Sequence, residues 1–182
     1  MKKIILTTLM LGAFLAAISQ SKYITQKGFI SFFSRTPIED ISADNNEVGS
    51  IINTETGEMI FKLKMTNFQF EKKLMQQHFN ENYVESDKFP TSSFKGFITN
   101  NEQVDYTTQG SYSVYVEGDL TIHGVTNRVQ IPGTIEVTPD GLKAFSKFII
   151  KPADYDIKIP KIVRNKIARE MEITVKMDYT PM

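Results

Sequence analysis

The residues best suited to chemistry are a histidine and two glutamates near the middle of the chain. His78, Glu81 and Glu85 are spaced so that a continuing helix would place the first two on one face and the third nearby. An imidazole and two carboxylates can bind a divalent metal ion, which makes an exported metal-dependent enzyme one alternative. The spacing also arises by chance, and Asn80 and Asn82 favour a fraying, solvated helix end. We therefore assign no metal ligand and expect no cofactor.

The other polar candidates lack the setting that catalysis needs. His123 precedes Gly124 in a predicted hairpin turn, with Asp119 four residues earlier, and a structural hydrogen bond is favoured there over a general base. Ser92 and Ser93 are not part of a Gly-x-Ser-x-Gly motif, so a nucleophile elbow is not supported. The sequence also has no glycine-rich phosphate loop. We expect a protein that binds a ligand and is not an enzyme.

These groups lie among segments in which apolar and polar residues alternate, the pattern of β-strands with one buried face. Residues 110–137 show it most clearly, because two alternating runs meet at a glycine-centred turn and predict an antiparallel hairpin. Other predicted strands lie at 28–35, 47–53, 59–66, 93–99, 142–150 and 169–179, with a connection over 38–46. From Phe70 the period changes, which predicts a short helix near residues 70–79 over one end of the sheet. About eight strands in one domain predict a closed barrel or a sandwich.

The amino terminus predicts export. A basic Lys2-Lys3 pair, an apolar run over 4–18 and a small-x-small Ala17-Ile18-Ser19 site are typical of a signal peptide at 1–19, which leaves 20–182 as the mature domain. A retained membrane anchor is the alternative, but the run is short for a spanning helix. Because the chain has no cysteine, it has no lipobox acceptor and no disulfide. We expect a periplasmic protein.

Composition narrows the partners. The 21 Lys and Arg residues balance 21 Asp and Glu, without the basic stripe that nucleic acid requires. The lysines are scattered along the sequence, which argues against a polybasic membrane patch. The 13 phenylalanines and eight methionines supply large, adaptable apolar surface. Composition alone favours a barrel filled by its own side chains over one with a tunnel.

Two blocks of sequence carry a family resemblance, Lys88-Phe-Pro-Thr-Ser-Ser-Phe94 and Gly118-Asp-Leu-Thr-Ile-His-Gly-Val-Thr126. Together with 74–83 and Thr36-Pro37-Ile38-Glu39, they make most of the mature chain similar to the YceI-like family of polyisoprenoid-binding, lipocalin-like proteins. The resemblance implies an eight-stranded antiparallel barrel in the bacterial periplasm. It also implies an apolar tunnel that holds an isoprenoid chain, such as a quinone tail or a prenyl diphosphate, and so reverses the preference for a filled core.

On this interpretation, inward side chains line the tunnel and basic side chains near its rim meet a polar head group. The predicted tunnel residues are Phe29, Phe33, Phe61, Leu63, Met65, Phe94, Leu120, Ile131, Phe148, Met171 and Ile173. The head-group candidates are Lys88, Lys95 and Arg164, with Lys158 and Lys166 as alternatives to Arg164, although the connection that contains these three could equally be a solvated loop. The expected partner is an isoprenoid or other long-chain lipid, with transient membrane contact and a homodimer as further expectations. A filled barrel acting as a ligand-free interaction module is the second alternative.

Overall fold

A computed structural model describes residues 21–163 and 165–182. Its strands are β1 (Lys22–Arg35), β2 (Asp40–Asn53), β3 (Glu58–Lys64), β4 (Gln69–Phe70), β5 (Thr91–Ile98), β6 (Gly110–Ile122), β7 (Val125–Thr138), β8 (Gly141–Ile150) and β9 (Met171–Pro181). The helix α1 (Lys73–His78) continues into one π-helical turn, Phe79–Tyr83. Short 3₁₀ turns lie at Met65–Asn67, Asn101–Gln103, Pro152–Tyr155 and Lys161–Val163. The predicted signal peptide, 1–19, and the candidate Arg164 lie outside the described residues.

The strands form a closed antiparallel barrel. Their order is β1-β9-β8-β7-β6-β5-β3-β2, and β1 pairs with β2 to complete the ring of eight. The two-residue β4 adds to the edge of β2, where Phe70 lies opposite Ala43. The predicted fold, an eight-stranded barrel with one short helix, is confirmed. Of the helices in the described residues, none is long and apolar enough to cross a bilayer.

Strand β2 is longer than predicted. The interval 38–46 was expected to be a connection, but β2 begins at Asp40. The turn before it is short because Thr36 accepts hydrogen bonds at its Oγ1 from the backbone N–H groups of Ile38 and Glu39. Side chains in 40–45 do alternate between the two faces, with Ala43 and Asn45 buried, but too few of them are apolar for the pattern to be recognised.

The β6–β7 hairpin has the turn that its sequence predicts. The two central residues, His123 and Gly124, both have positive φ, which matches the tight turn that joins twisted antiparallel strands. Gly124 is required for a second reason, because a Cβ there would lie 2.5 Å from the ring of Phe89. The turn therefore packs directly against the loop that precedes β5.

The two halves of the barrel differ. At the end that carries the 54–57, 99–109 and 139–140 connections, the interior is filled by buried side chains, and we call this the packed half. Its core consists of Val48, Ile52, Met59, Phe94, Ile98, Val104, Val114, Ile135, Val137, Leu142, Met177 and Tyr179. At the other end β2 and β3 pair only as far as Gly49 and Lys62, and β7 and β8 only as far as Gly133 and Ser146. The strands diverge beyond these pairs, which widens the second half, the open half.

Candidate ligand-binding cavity

The open half contains a cavity of about 580 Å³, within the range of roughly 300–1,000 Å³ that is usual for small-molecule sites. Its wall consists largely of aliphatic and aromatic side chains from all eight barrel strands and from two connections at the open end. Nine of the predicted tunnel residues line it: Phe61, Leu63, Met65, Phe94, Leu120, Ile131, Phe148, Met171 and Ile173. Their role in binding a ligand stays a prediction.

Phe29 and Phe33 do not line the cavity, and their placement on its wall was wrong. Their neighbours Ile30 and Phe32 take these positions instead. The ammonium of Lys176 lies 5.5 Å from the ring of Phe29, and the guanidinium of Arg35 lies 5.0 Å from that of Phe33. Residues 29–33 are apolar on both faces of the strand, so alternation alone could not decide which face points inward.

The floor of the cavity depends on two facing glycines. Gly96 of β5 lies opposite Gly118 of β6, and the ring of Phe94 lies against both. A Cβ at either position would lie 2.6 Å from the ring carbon Cζ of Phe94. Phe61 meets the same ring edge-on, with centroids 6.1 Å apart. The cavity meets the packed half here, because four residues of the packed core also line it: Met59, Phe94, Val114 and Ile135.

One side of the mouth is formed by α1 and the π-helical turn. Four phenylalanine rings, Phe32, Phe68, Phe70 and Phe79, form a cluster with centroids 5.1–5.7 Å apart. Phe79 lies at the end of α1 and contacts the other three rings. Helix α1 itself buries no residue, although its Leu74 lines the cavity. The helix is therefore a cover held mainly through Phe79.

The other side of the mouth is the connection between β8 and β9. Ile157, Ile159, Val163 and Ile167 line the cavity, whereas Ile162 points into solvent. The connection is fixed near both of its ends. Asn127 donates a hydrogen bond to the carbonyl oxygen of Asp154 (2.7 Å), and the backbone N–H of Ala168 donates to the buried hydroxyl of Ser34 (2.9 Å).

The side chains that were considered as catalytic groups make structural hydrogen bonds at the open end of the barrel. Both ring nitrogens of buried His123 have partners, Nδ1 at 3.1 Å from the carbonyl oxygen of Tyr155 and Nε2 at 3.1 Å from Oε2 of Glu85. Lys88 also bonds to Glu85, and these two bonds hold the pKa of the Glu85 carboxyl below its usual value. Glu81 accepts a hydrogen bond from Gln77. The predicted structural hydrogen bond of His123 is confirmed.

The residues His78, Glu81 and Glu85 do not converge. His78 lies at the mouth of the cavity, while Glu85 turns towards His123 and Lys88. Within the part of the chain that the structure describes, no three His, Asp or Glu side chains are placed to share a metal ion. A continuous helix was needed to align them, but α1 ends at His78 and the π-helical turn changes the spacing that follows.

Of the charged or ionisable side chains at the mouth, only His78 and Lys166 come from positions that the sequence singled out as candidates. Glu39, Lys62, Lys72 and Lys166 line the opening together with His78. Lys72 donates a hydrogen bond to Glu39 (2.8 Å), and this bond, aided by the charge of Lys166, lowers the pKa of the Glu39 carboxyl. Glu39 is 33 residues from Lys72, and no local pattern signals such a pair.

The predicted head-group lysines, Lys88 and Lys95, do not line the cavity, and their role stays a prediction. Lys95 is on the outer wall, 3.8 Å from Glu58, because it alternates with the inward Phe94 and Gly96. Lys88 pairs with Glu85 and does not line the opening.

The chain matches the model of the YceI-like domain over residues 24–179. Among solved structures it resembles a polyisoprenoid-binding domain from Saccharophagus degradans implicated in plant cell wall breakdown, with 13% identity, a TM-score of 0.77 and coverage of 90% of this chain and 99% of the other. BcnA from Burkholderia cenocepacia is 16% identical with a TM-score of 0.64, covering 82% and 94%. The YceI protein of Campylobacter jejuni is 14% identical with a TM-score of 0.56, covering 100% and 99%.

At these identities the likeness to solved structures concerns the fold. A comparison with curated protein sequences gives no match. The family model, however, covers nearly all of the barrel, from the start of β1 to the end of β9. The chain therefore belongs to the YceI-like family.

Proposed function

We propose that this protein binds one long-chain apolar molecule of the isoprenoid type and sequesters or carries it, without chemistry of its own. The observation that supports this most strongly is the cavity of about 580 Å³, which is walled by apolar side chains and opens at one end of a closed barrel. The family assignment and the similar fold of the Saccharophagus polyisoprenoid-binding domain favour an isoprenoid over other lipids.

Burial of the tail is a sufficient driving force. An isoprene unit has five carbons, so its burial contributes about 4 kcal/mol at roughly 0.8 kcal/mol per carbon. Association costs about 4–15 kcal/mol in lost freedom of motion. One unit would therefore barely bind, whereas a tail of roughly two to four buried units binds without any covalent bond.

We place this activity in the periplasm. The signal-like segment 1–19 predicts export, and a carrier is needed where an apolar tail has to cross water. Intact-mass measurement of protein from its own envelope fraction tests the location, because cleavage near Ser19 is expected and a retained leader would contradict it. Homodimer formation and transient membrane contact stay predictions.

The test of binding introduces a charged side chain into the cavity and measures the affinity for a lipid. Phe61 lines the cavity, whereas its neighbour Ile60 faces solvent on the same strand. In titrations with an isoprenoid alcohol such as geranylgeraniol, we expect Phe61→Arg and Leu120→Arg to weaken binding about a hundredfold or more, because a buried charge is incompatible with a hydrocarbon tail. Ile60→Arg is the matched control and should bind as the wild type does. Unchanged affinity in a folded Phe61→Arg protein, checked by circular dichroism, would refute the proposal.

A further inference from the structure

Three exposed aliphatic side chains surround the mouth of the cavity. Ile38 is 57% exposed in the β1–β2 turn, Leu74 is 62% exposed on α1, and Ile162 is 88% exposed in the β8–β9 connection. Each belongs to a different connection, and all three connections lie at the open end of the barrel. We call this surface, residues 36–39, 71–78 and 156–169 without Arg164, the rim. Large apolar side chains at three separate tips, next to an opening, point to an interaction surface.

The three connections form one continuous surface. Glu39 of the turn bonds to Lys72, which directly precedes α1, and Lys166 is close enough to influence the same carboxyl. Ile38 shares a surface crevice with Ile167, and Leu74 lines the same cavity as Ile167. The three connections that carry the exposed side chains are therefore neighbours around a single opening.

The rim is basic although the whole chain has no net charge. Its exposed basic residues are Lys72, Lys73, Lys158, Lys161, Lys166 and Arg169. Its acidic residues are Glu39, Glu71 and Asp156, and residues 157–169 contain none. Lys72 pairs with Glu39, and Lys158 lies 3.8 Å from Asp156. Lysines that are scattered along the sequence are thus brought together by the fold.

Aliphatic tips surrounded by lysines match one kind of partner. Apolar side chains insert into the boundary between head groups and acyl chains of a bilayer, and lysines bind anionic head groups at its surface. A few such contacts give weak, reversible attachment. We propose that the rim docks on an anionic phospholipid membrane with the cavity mouth facing the bilayer, so that a lipid tail passes between bilayer and cavity without crossing water. The passage of a lipid tail rests on the proposed function, whereas the docking itself requires only the rim.

The test is flotation of the exported protein, isolated without the segment 1–19, with vesicles of phosphatidylcholine containing phosphatidylglycerol. We expect the wild type to float with these vesicles, to float far less with phosphatidylcholine alone, and to be released by high salt. Lys158→Gln/Lys161→Gln should lower the partition coefficient about thirtyfold, because each lysine near an anionic surface contributes roughly a factor of five. Ile162→Asp should also weaken flotation.

Matched controls carry the same substitutions on the outer wall of the barrel. Lys95→Gln/Lys143→Gln removes two exposed charges, and Ile60→Asp replaces an exposed aliphatic residue, so both proteins should float as the wild type does. Absence of flotation, equal flotation of rim and wall variants, or binding to a protein of the envelope in place of vesicles would overturn the proposal. Geranylgeraniol binding is measured in parallel. The rim variants should still bind geranylgeraniol. If the wild type binds vesicles but not geranylgeraniol, the proposed ligand of the cavity is rejected and the docking is not.

Discussion

Gly96 and Gly118 face each other on β5 and β6 at the floor of the cavity. A Cβ at Gly118 would lie 2.5 Å from the Cα of Gly96 and from the carbonyl oxygen of Lys95. Because both are backbone atoms, the strands must move apart to relieve the overlap. We expect Gly118→Ala to lower the free energy of unfolding by about 1–3 kcal/mol, measured by urea denaturation.

Gly49 is the matched control for this prediction. It is also a strand glycine with ordinary φ, but its added Cβ would meet only the carbonyl oxygen of Lys62, at 3.7 Å, which is normal van der Waals contact. Gly49→Ala should leave stability unchanged or raise it by a few tenths of a kcal/mol. An equal loss in both variants would show that the overlap at Gly118 is not the cause.

A second prediction at this scale concerns Tyr106 at the packed end. It donates a hydrogen bond to Oδ1 of Asn101 (2.7 Å), and burial raises the pKa of its hydroxyl from 10.0 to about 12. Below pH 10 the tyrosine is neutral in both states, so its contribution to stability is complete. Between pH 10 and 12 the unfolded chain ionises while the folded chain does not, so stability falls.

Urea unfolding at a series of alkaline pH values measures this effect in the wild type and in Tyr106→Phe. The variant lacks the ionisable group, so its stability should fall less steeply above pH 10. Some decline should persist, because burial also raises the pKa of Tyr179. Identical slopes for the two proteins would contradict the assignment to Tyr106.

Side-chain placement followed from sequence where alternation was unambiguous. Leu120 and Ile131 belong to strands with one apolar and one polar face, and both line the cavity as expected. Strand β1 is apolar on both faces, so Phe29 and Phe33 were assigned to the wrong one. Lys166 lies in an aperiodic connection, so the sequence offered it only as one of three alternatives, and its position at the mouth depends on long-range packing.

At the scale of elements, α1 is a cover that depends on one aromatic anchor. Phe79 packs on three other phenylalanine rings, whereas no residue of α1 is buried. We expect Phe79→Ala to lower the free energy of unfolding by about 2 kcal/mol, less than for a fully buried phenylalanine. It should also speed amide hydrogen exchange in residues 73–83 by local detachment.

Leu74→Ala is the comparison, because Leu74 lies on the same helix and is largely exposed. Its stability and exchange rates should stay close to those of the wild type. If exchange in α1 does not respond to Phe79→Ala, the helix is held by contacts other than the phenylalanine cluster.

Helices and strands were predicted most accurately where the local sequence pattern was strongest. The β6–β7 hairpin combines strict alternation with a tight turn at Gly124, and it was predicted closely. The helix was predicted from its change of period, but its continuation as a π-helical turn leaves no mark in spacing. The first residues of β2 are recruited by pairing with β1, from Arg35–Asp40 onwards, so tertiary contacts outweigh their weak local preference.

At the scale of the whole molecule, the barrel combines a filled interior with a hollow one. These are the two alternatives that the composition left open. Its packed half is solid, and includes a buried hydrogen bond between the hydroxyls of Ser50 and Tyr179 (2.7 Å). Its open half is hollow, because two strand pairs diverge there and the connections close the gaps only in part. The packed half supplies rigidity, which allows the open half to keep an apolar cavity.

The central claim is that this cavity holds a long-chain lipid. Native mass spectrometry of the protein, purified without detergent from the envelope fraction of the cell that makes it, tests this most directly. We predict a complex of one chain with one isoprenoid-type lipid, and loss of that added mass in Leu120→Arg purified in the same way. A wild-type spectrum that contains only the bare chain would contradict the claim.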